Sequence, residues 1–313
     1  MTKLALVFPG QGSQSIGMMQ GFADVACVRD TFAEAADVLK QDLWQLAAAG
    51  PVAELASTVN TQPLMLTAGY AAYRAWQAQG GPAPALVAGH SLGEYTALVV
   101  AGVVSFRDAL PLVRFRAQAM QDAVPAGTGA MAAILGLDDD AVRAVCAEAA
   151  QGEALEAVNF NAPSQVVIAG HKSAVERGAA LAKAKGAKRA IMLPVSAPFH
   201  SSLLQPAARQ LEQYLGGVAF STPRIPIVNN VDVAVTADPA LIKQALARQA
   251  CSPVRWVEVI RYMAGSGVTH VAECGPGKVL AGLTPRIERT LVSFAVADAA
   301  TLAQALAAVG QAA

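Results

Sequence analysis

Apolar residues cluster in short runs at positions 4–8, 85–89, 191–195, 225–228, 269–272 and 292–296. Alanine-rich stretches separate them, and these read as helices over roughly 30–40, 63–79, 92–101, 105–122, 203–214, 239–248 and 254–264. Alanine has the best intrinsic helix propensity, so such segments stay helical with few long side chains. Strand runs alternating with helices predict an α/β fold with a parallel sheet. The segment 299–313 reads as a final helix and then a frayed end.

One stretch breaks that rhythm. After a loop at 124–129 the pattern gives a strand at 130–135, a helix opening on Asp138, Asp139 and Asp140, and a strand at 155–159. Acids suit the start of that helix, where the backbone dipole is positive. A turn at 161–164, a strand at 165–169, a helix at 173–185 and a strand at 189–195 follow. The order βαββαβ is the ferredoxin-like arrangement. The expected division is therefore a small ferredoxin-like subdomain at 125–196, inserted into a large α/β domain built from 1–124 and 197–313. A ligand cleft is expected where the two meet.

Composition narrows the class. The chain has 313 residues and is 54% hydrophobic, with only 15% charged residues against about 25% in an average globular protein. Its mean hydropathy is +0.39. A disordered chain needs the opposite composition. Lys and Arg total 23 and Asp and Glu total 23, so no basic footprint for nucleic acid is present. The uncharged stretch 55–73 is interrupted by Ser57, Asn60, Gln62 and Pro63, which argues against a membrane span. The apolar run at 4–8 is too short for a signal-peptide core, and no cleavage site follows it. Four cysteines without C-x-x-C spacing indicate reduced thiols and no zinc knuckle. The expectation is a cytoplasmic, monomeric protein with no metal and no cofactor.

The strongest local signal is Gly89-His90-Ser91-Leu92-Gly93, a G-x-S-x-G pentapeptide between an apolar strand and a helix. In a nucleophile elbow the glycines permit a tight strand-to-helix turn that lifts the serine Oγ clear of the backbone. On a parallel sheet this is α/β-hydrolase-like. Of the four histidines, His90 adjoins Ser91 and should project away from its Oγ. His171 follows a strand of the insert as a surface residue, and His270 lies inside an apolar strand as a satisfied core residue. His200 lies in a loop directly after a strand, where catalytic groups collect, and is the base by elimination. No acid sits at a suitable strand end, so a dyad is expected, its imidazole held by a backbone carbonyl or an amide.

Two glycine-rich segments invite other readings. The loop 8–14 has Ser15 where a dinucleotide fingerprint needs glycine, and no acid ends a second strand beyond it. Its alternative use is to offer a backbone N–H to an oxyanion beside the N–H of Leu92. Residues 272–279 imitate a phosphate loop but have Ala272 for the first glycine and Val279 for Ser/Thr. Arg114 and Arg116 share a helix, and a buried guanidinium there could clamp a carboxylate. Helical spacing does not choose between them.

Taken in order, these and further motifs resemble the bacterial malonyl-CoA:acyl carrier protein transacylase family over nearly the whole chain. The matching pieces are Phe8-Pro9-Gly10-Gln11-Gly12-Ser13-Gln14, Gly89-His90-Ser91-Leu92-Gly93-Glu94, Arg116 with Met120-Gln121, and Gly127-Thr128-Gly129-Ala130-Met131. Then come Val158-Asn159 with Asn161-Ala162-Pro163, Pro198-Phe199-His200, Asn229-Asn230-Val231, Gln249 ahead of Pro253-Val254, and Gly275-Pro276-Gly277-Lys278-Val279-Leu280. The resemblance implies Ser91 as nucleophile, His200 as base, and backbone N–H groups of Gln11 and Leu92 as the oxyanion hole. It implies that the Gln249 carbonyl orients the imidazole and that Arg116 binds the malonyl carboxylate. Met120, Phe199 and Asn161 would line the substrate pocket, with Phe199 crowding a branch on the α-carbon. The implied substrates are malonyl-CoA and acyl carrier protein, with CoA leaving, in a two-step covalent exchange. The family often has glycine after the arginine, where this chain has Ala117.

Other readings of the same residues remain. A serine thioesterase or hydrolase would use water as acceptor, and malonyl transferases of malonate decarboxylase or polyketide systems would share this site. A dead carrier-binding scaffold is disfavoured because Ser91 and His200 are both present. With no fused domain in the chain, the expected setting is stand-alone fatty acid synthesis. The basic residues Lys183, Lys185, Lys188 and Arg189 are either a carrier-protein face or a solvated helix end.

Overall fold

The computed structural model describes residues 2–311; Met1 and the last two residues, the end of the predicted frayed tail, lie outside the described residues. Eight strands occur among the described residues: β1 (Leu4–Phe8), β2 (Leu86–Gly89), β3 (Gly129–Leu135), β4 (Leu155–Ala162), β5 (Gln165–His171), β6 (Arg189–Met192), β7 (His270–Cys274) and β8 (Val292–Val296). They form two sheets. One is parallel, in the order β2-β1-β7-β8. Helices cover it, and every residue of β1 is buried, as expected of a strand with both faces packed.

The second sheet is antiparallel, in the order β4-β5-β3-β6. Helices Asp139–Ala150 and Lys172–Ala184 connect its strands in the sequence βαββαβ. That is the ferredoxin-like arrangement expected from the pattern. Val142, Val145, Ile168 and Val175 lie in its own apolar cluster, distinct from the one around β1. The fold is thus a large α/β-hydrolase-like unit on a parallel sheet, with a small ferredoxin-like unit set into it.

Three expectations need correction. The run 225–228 is not a ladder strand. Pro226 has no N–H to give, and the segment makes a single bridge to β2, with Val87 N–H donating to Pro226 O and Val228 N–H to Val87 O. The helix expected at 63–79 begins earlier and spans Thr58–Ala78, with Pro63 inside it at the cost of one intrahelical bond. Helices Leu43–Ala49, Val52–Ala56 and Val279–Ile287 were not expected at all. Two are too short to show a period, and the third hides behind the phosphate-loop imitation.

β1 and β2 end side by side, with Phe8 in register with Gly89. This places the loop after β1 against the turn after β2. Together they form one wall of a cavity whose opposite wall comes from the small sheet.

Candidate active site

The turn after β2 is sterically dictated. A Cβ on Gly89 would stand 1.8 Å from the Gly93 carbonyl carbon, and one on Gly93 would stand 2.0 Å from the Phe8 carbonyl oxygen. Only glycine permits helix Gly93–Val100 to start this close to the sheet. Between them Ser91 adopts φ +52°, a left-handed conformation that costs a non-glycine residue of order 1–3 kcal/mol. Asn230 holds it there. Its Oδ1 accepts from the Ser91 N–H at 2.7 Å, and its Nδ2 donates to Gly89 O at 2.7 Å.

Ser91 Oγ lies 2.7 Å from His200 Nε2, and His200 Nδ1 lies 2.8 Å from the backbone carbonyl of Gln249. A carbonyl only accepts, so Nδ1 carries the proton and Nε2 presents its lone pair to the serine hydroxyl. Among the described residues no carboxylate contacts the imidazole. His200 is 3% exposed, and its pKa is pushed down to about 3, first by burial and then by the charge of Arg116. The resting base is neutral.

Arg116, not Arg114, reaches this centre. It is 2% exposed, on helix Phe106–Asp122. Its Nη2 donates to Ser91 Oγ at 3.1 Å and to Gln249 Oε1 at 2.9 Å, and its Nη1 donates to Gln62 Oε1 at 2.7 Å. The ring of Tyr95 lies under the guanidinium, 5.2 Å away. Arg114 turns instead to Leu39 O and Gln41. Ala117, next in the helix, is fully buried.

These groups open into a cavity of about 540 Å³. Gln11, Leu92, Met120 and Phe199 line it from the large unit; Met131 and Asn159 line it from the small one. Among the described residues the N–H groups of Gln11 and Leu92 donate to no protein acceptor. Asn161 is not in the lining. Its Oδ1 meets His90 Nε2 at 2.8 Å, so it stands behind His90, and Asn159 occupies the pocket position instead. Strict alternation would put 159 and 161 on one face of β4; the register shifts at 157/159 and 160/162 break it and separate the two side chains. His90 itself lines the cavity while pointing to Asn161 rather than to the serine.

The other histidines lie elsewhere. His171 accepts the Ala154 N–H, and His270 is half-buried at the start of β7, satisfied by Thr269 Oγ1 rather than enclosed in the core. The expectation of a core histidine is corrected on this point.

Four polar residues of the site were not assigned roles by sequence reasoning. Gln62 lies just before the helix expected at 63–79, and only the earlier start of that helix at Thr58 brings it into the helix. Thr58 Oγ1 donates to Gln11 Oε1 and accepts from Gln62 Nε2. Asn230 and Glu94 were visible only as parts of longer motifs. Glu94 is 2% exposed, and burial raises its pKa to about 7 against the pull of its hydrogen bonds and of Arg116.

Comparison with known proteins agrees with this geometry. Residues 5–307 match the acyl transferase domain family. The chain is 54% identical over 307 residues to the malonyl CoA-acyl carrier protein transacylase of Escherichia coli K12, covering 98% of this chain and 99% of that one. It superposes with a TM-score of 0.96 on the acyl-carrier-protein S-malonyltransferase of Burkholderia pseudomallei 1710b, at 66% identity and with 98% and 100% coverage. A malonyl-transacylase solved in complex with its type II polyketide acyl carrier protein superposes at 0.97, with 51% identity and the same coverage.

Proposed function

The chain belongs to the acyl transferase domain family, and we propose that it moves malonyl groups from malonyl-CoA to the phosphopantetheine thiol of acyl carrier protein through an ester on Ser91. The observation that carries this reading is the position of a buried guanidinium beside the nucleophile, with Arg116 Nη2 at 3.1 Å from Ser91 Oγ. A serine paired to a neutral imidazole makes acyl-enzymes. A desolvated cation in the same cavity selects an acyl group that ends in a carboxylate.

The geometry supports the following steps. The substrate carboxylate docks on Arg116, which places the thioester carbonyl over Ser91. Oγ attacks the carbonyl carbon while its proton passes to His200 Nε2. The tetrahedral oxyanion falls to the N–H groups of Gln11 and Leu92, and the Gln249 carbonyl holds the Nδ1–H of the imidazolium. Collapse breaks the C–S bond, the Nε2 proton goes to the departing CoA thiolate, and a malonyl ester remains. The carrier thiol then loses its proton to Nε2 and attacks the ester, and Ser91 leaves with that proton restored. Phe199 lines the cavity next to the base, where it would crowd a branched α-carbon.

Acyl carrier protein is the acceptor in this reading. Lys183, Lys188 and Arg189 are exposed near β6, an edge strand that leads directly into the cavity-lining residues Leu193, Pro194 and Val195. Lys185 is paired with Glu148 and is less available. Supply of malonyl units to fatty acid synthesis in the cytoplasm is the setting that fits best; no helix among the described residues is long and apolar enough to cross a membrane.

Incubation of enzyme and malonyl-CoA with carrier protein bearing or lacking phosphopantetheine tests the reading. Malonyl transfer only to the pantetheinylated form is expected. Release of CoA and free malonate at equal rates with either form would make water the acceptor.

A further inference from the structure

Two separate segments hold the reacting pair, and both are held in turn by one carboxylate oxygen. Asn230 fixes the backbone of Ser91, and the carbonyl of Gln249 fixes the imidazole of His200. Glu94 Oε2 accepts from the Asn230 N–H at 3.0 Å and from Gln249 Nε2 at 2.8 Å. Glu94 stands in the first turn of helix Gly93–Val100, where the helix dipole favours a carboxylate.

Chemistry fixes which way the Gln249 amide faces. Its Oε1 lies against Arg116, which can only donate. Its Nε2 lies between Ser91 O, which can only accept, and Glu94 Oε2, which accepts it alongside the Asn230 N–H. If the Glu94 acceptor were withdrawn, Nε2 would keep one bond, to Ser91 O at 3.1 Å, in a buried site. The amide could then rotate, and Arg116 would lose the partner that steers its Nη2 toward the nucleophile.

Resting on the transacylase reading above, we propose that Glu94 is a positioning residue that sets the base and the carboxylate clamp together. It acts by hydrogen-bond reach through Gln249 and Asn230, and touches neither substrate nor reacting atoms. Because the ionic contact of Arg116 with substrate is made only by an acyl group with a free carboxylate, misplacing it penalises malonyl more than acetyl. Misplacing His200 slows both.

Two substitutions separate reach from charge. Glu94→Gln keeps the acceptor oxygen at the same distance and removes the charge; Glu94→Asp keeps the charge and withdraws the acceptor by one methylene. Single-turnover acylation of Ser91 by malonyl-CoA and by acetyl-CoA is read by intact mass and normalised to the fraction of sites that label. Glu94→Gln is expected within about threefold of wild type for both substrates. Glu94→Asp is expected to lose about 10- to 100-fold with malonyl-CoA, the scale of sub-ångström to ångström misplacement, and to lose malonyl-over-acetyl preference about tenfold. Normal rates and normal preference per labelled site in Glu94→Asp would overturn the proposal, as would a Glu94→Gln variant equally impaired. The wild-type control reports on the underlying reading: if it forms no malonyl ester at Ser91, that reading fails, whatever the variants do.

Discussion

Arg116 Nη2 touches the nucleophile it serves, 3.1 Å from Ser91 Oγ, while the same oxygen lies 2.7 Å from His200 Nε2. The guanidinium therefore acts on two things at once. It is the only cation within hydrogen-bond reach of Ser91 among the described residues, and its charge is the second cause, after burial, of the low His200 pKa. A malonyl carboxylate docked on Arg116 would neutralise that charge and let the base strengthen. An acetyl group would leave it uncompensated.

Arg116→Ala should reduce the malonyl acylation rate by roughly 10²–10³-fold, the kinetic equivalent of leaving a buried carboxylate without its partner. Acetyl acylation should fall far less, or rise. Stopped single-turnover labelling with the two thioesters checks the split. An equal loss for both would remove Arg116 from substrate recognition and leave it only a structural part.

Asn230→Ala should release the strained elbow. The Ser91 N–H would lose its acceptor and Gly89 O its donor. Leaving buried backbone groups unpaired costs about 1–3 kcal/mol, and an Oγ displaced by an ångström costs about 100-fold in rate. The expected result is a drop in kcat with little change in KM for malonyl-CoA, together with a lower melting temperature. Rates like those of wild type would show that the φ +52° at Ser91 needs no help from Asn230.

The depressed His200 pKa fixes the sign of the acid limb. With a pKa of about 3 in the resting site, the imidazole stays neutral well below its ordinary 6.5. The rate constant for malonyl acylation at low substrate should then show no inflection near pH 6.5 between about pH 5 and 8. A fall to half at that pH in wild type and in Glu94→Gln alike, the latter lacking the other group of the site that titrates near 7, would mean that the imidazole titrates normally.

Glu273 is the corresponding test of stability. It is buried in β7 and caps helix Val279–Ile287 by accepting the Ala281 N–H at 2.7 Å, and burial raises its pKa from 4.5 to about 7. The folded form thus binds the proton more tightly than the unfolded one. Its contribution, roughly 3 kcal/mol for a shift of this size, is fully present below pH 4.5 and is lost as pH rises through 7. Glu94 has the same sign, while His200 and His90 have the opposite one below pH 6.5. Urea midpoints of wild type and Glu273→Gln across pH 4 to 9 isolate the share of Glu273. The variant should lose part of the decline toward alkaline pH. Parallel curves would contradict the raised pKa.

Much of this site is legible in the sequence because it rests on local rules. The elbow needs glycine on both sides of Ser91, and the clashes of 1.8 and 2.0 Å show why no other residue serves. His200 emerges by elimination because histidines are few. What stays hidden depends on long-range placement. Gln62, Asn230 and Glu94 carry no signal of their own, since a glutamine in an apolar helix or an acid in a first helical turn is commonplace. Only the fold brings positions 62, 116 and 249 within hydrogen-bond reach. The choice between Arg114 and Arg116 likewise depends on which face of one helix meets the elbow. The exchange of Asn161 for Asn159 follows from bulges in β4 that no alternation rule anticipates.

The most direct measurement is the intact mass of the protein after brief exposure to malonyl-CoA or to acetyl-CoA, with Ser91→Ala as control. The expected result is a malonyl increment that requires Ser91, persists in buffer, and disappears on adding pantetheinylated acyl carrier protein, with little acetyl increment. Free CoA accumulating without carrier protein and without a persistent adduct would contradict it, and would make the protein a hydrolase.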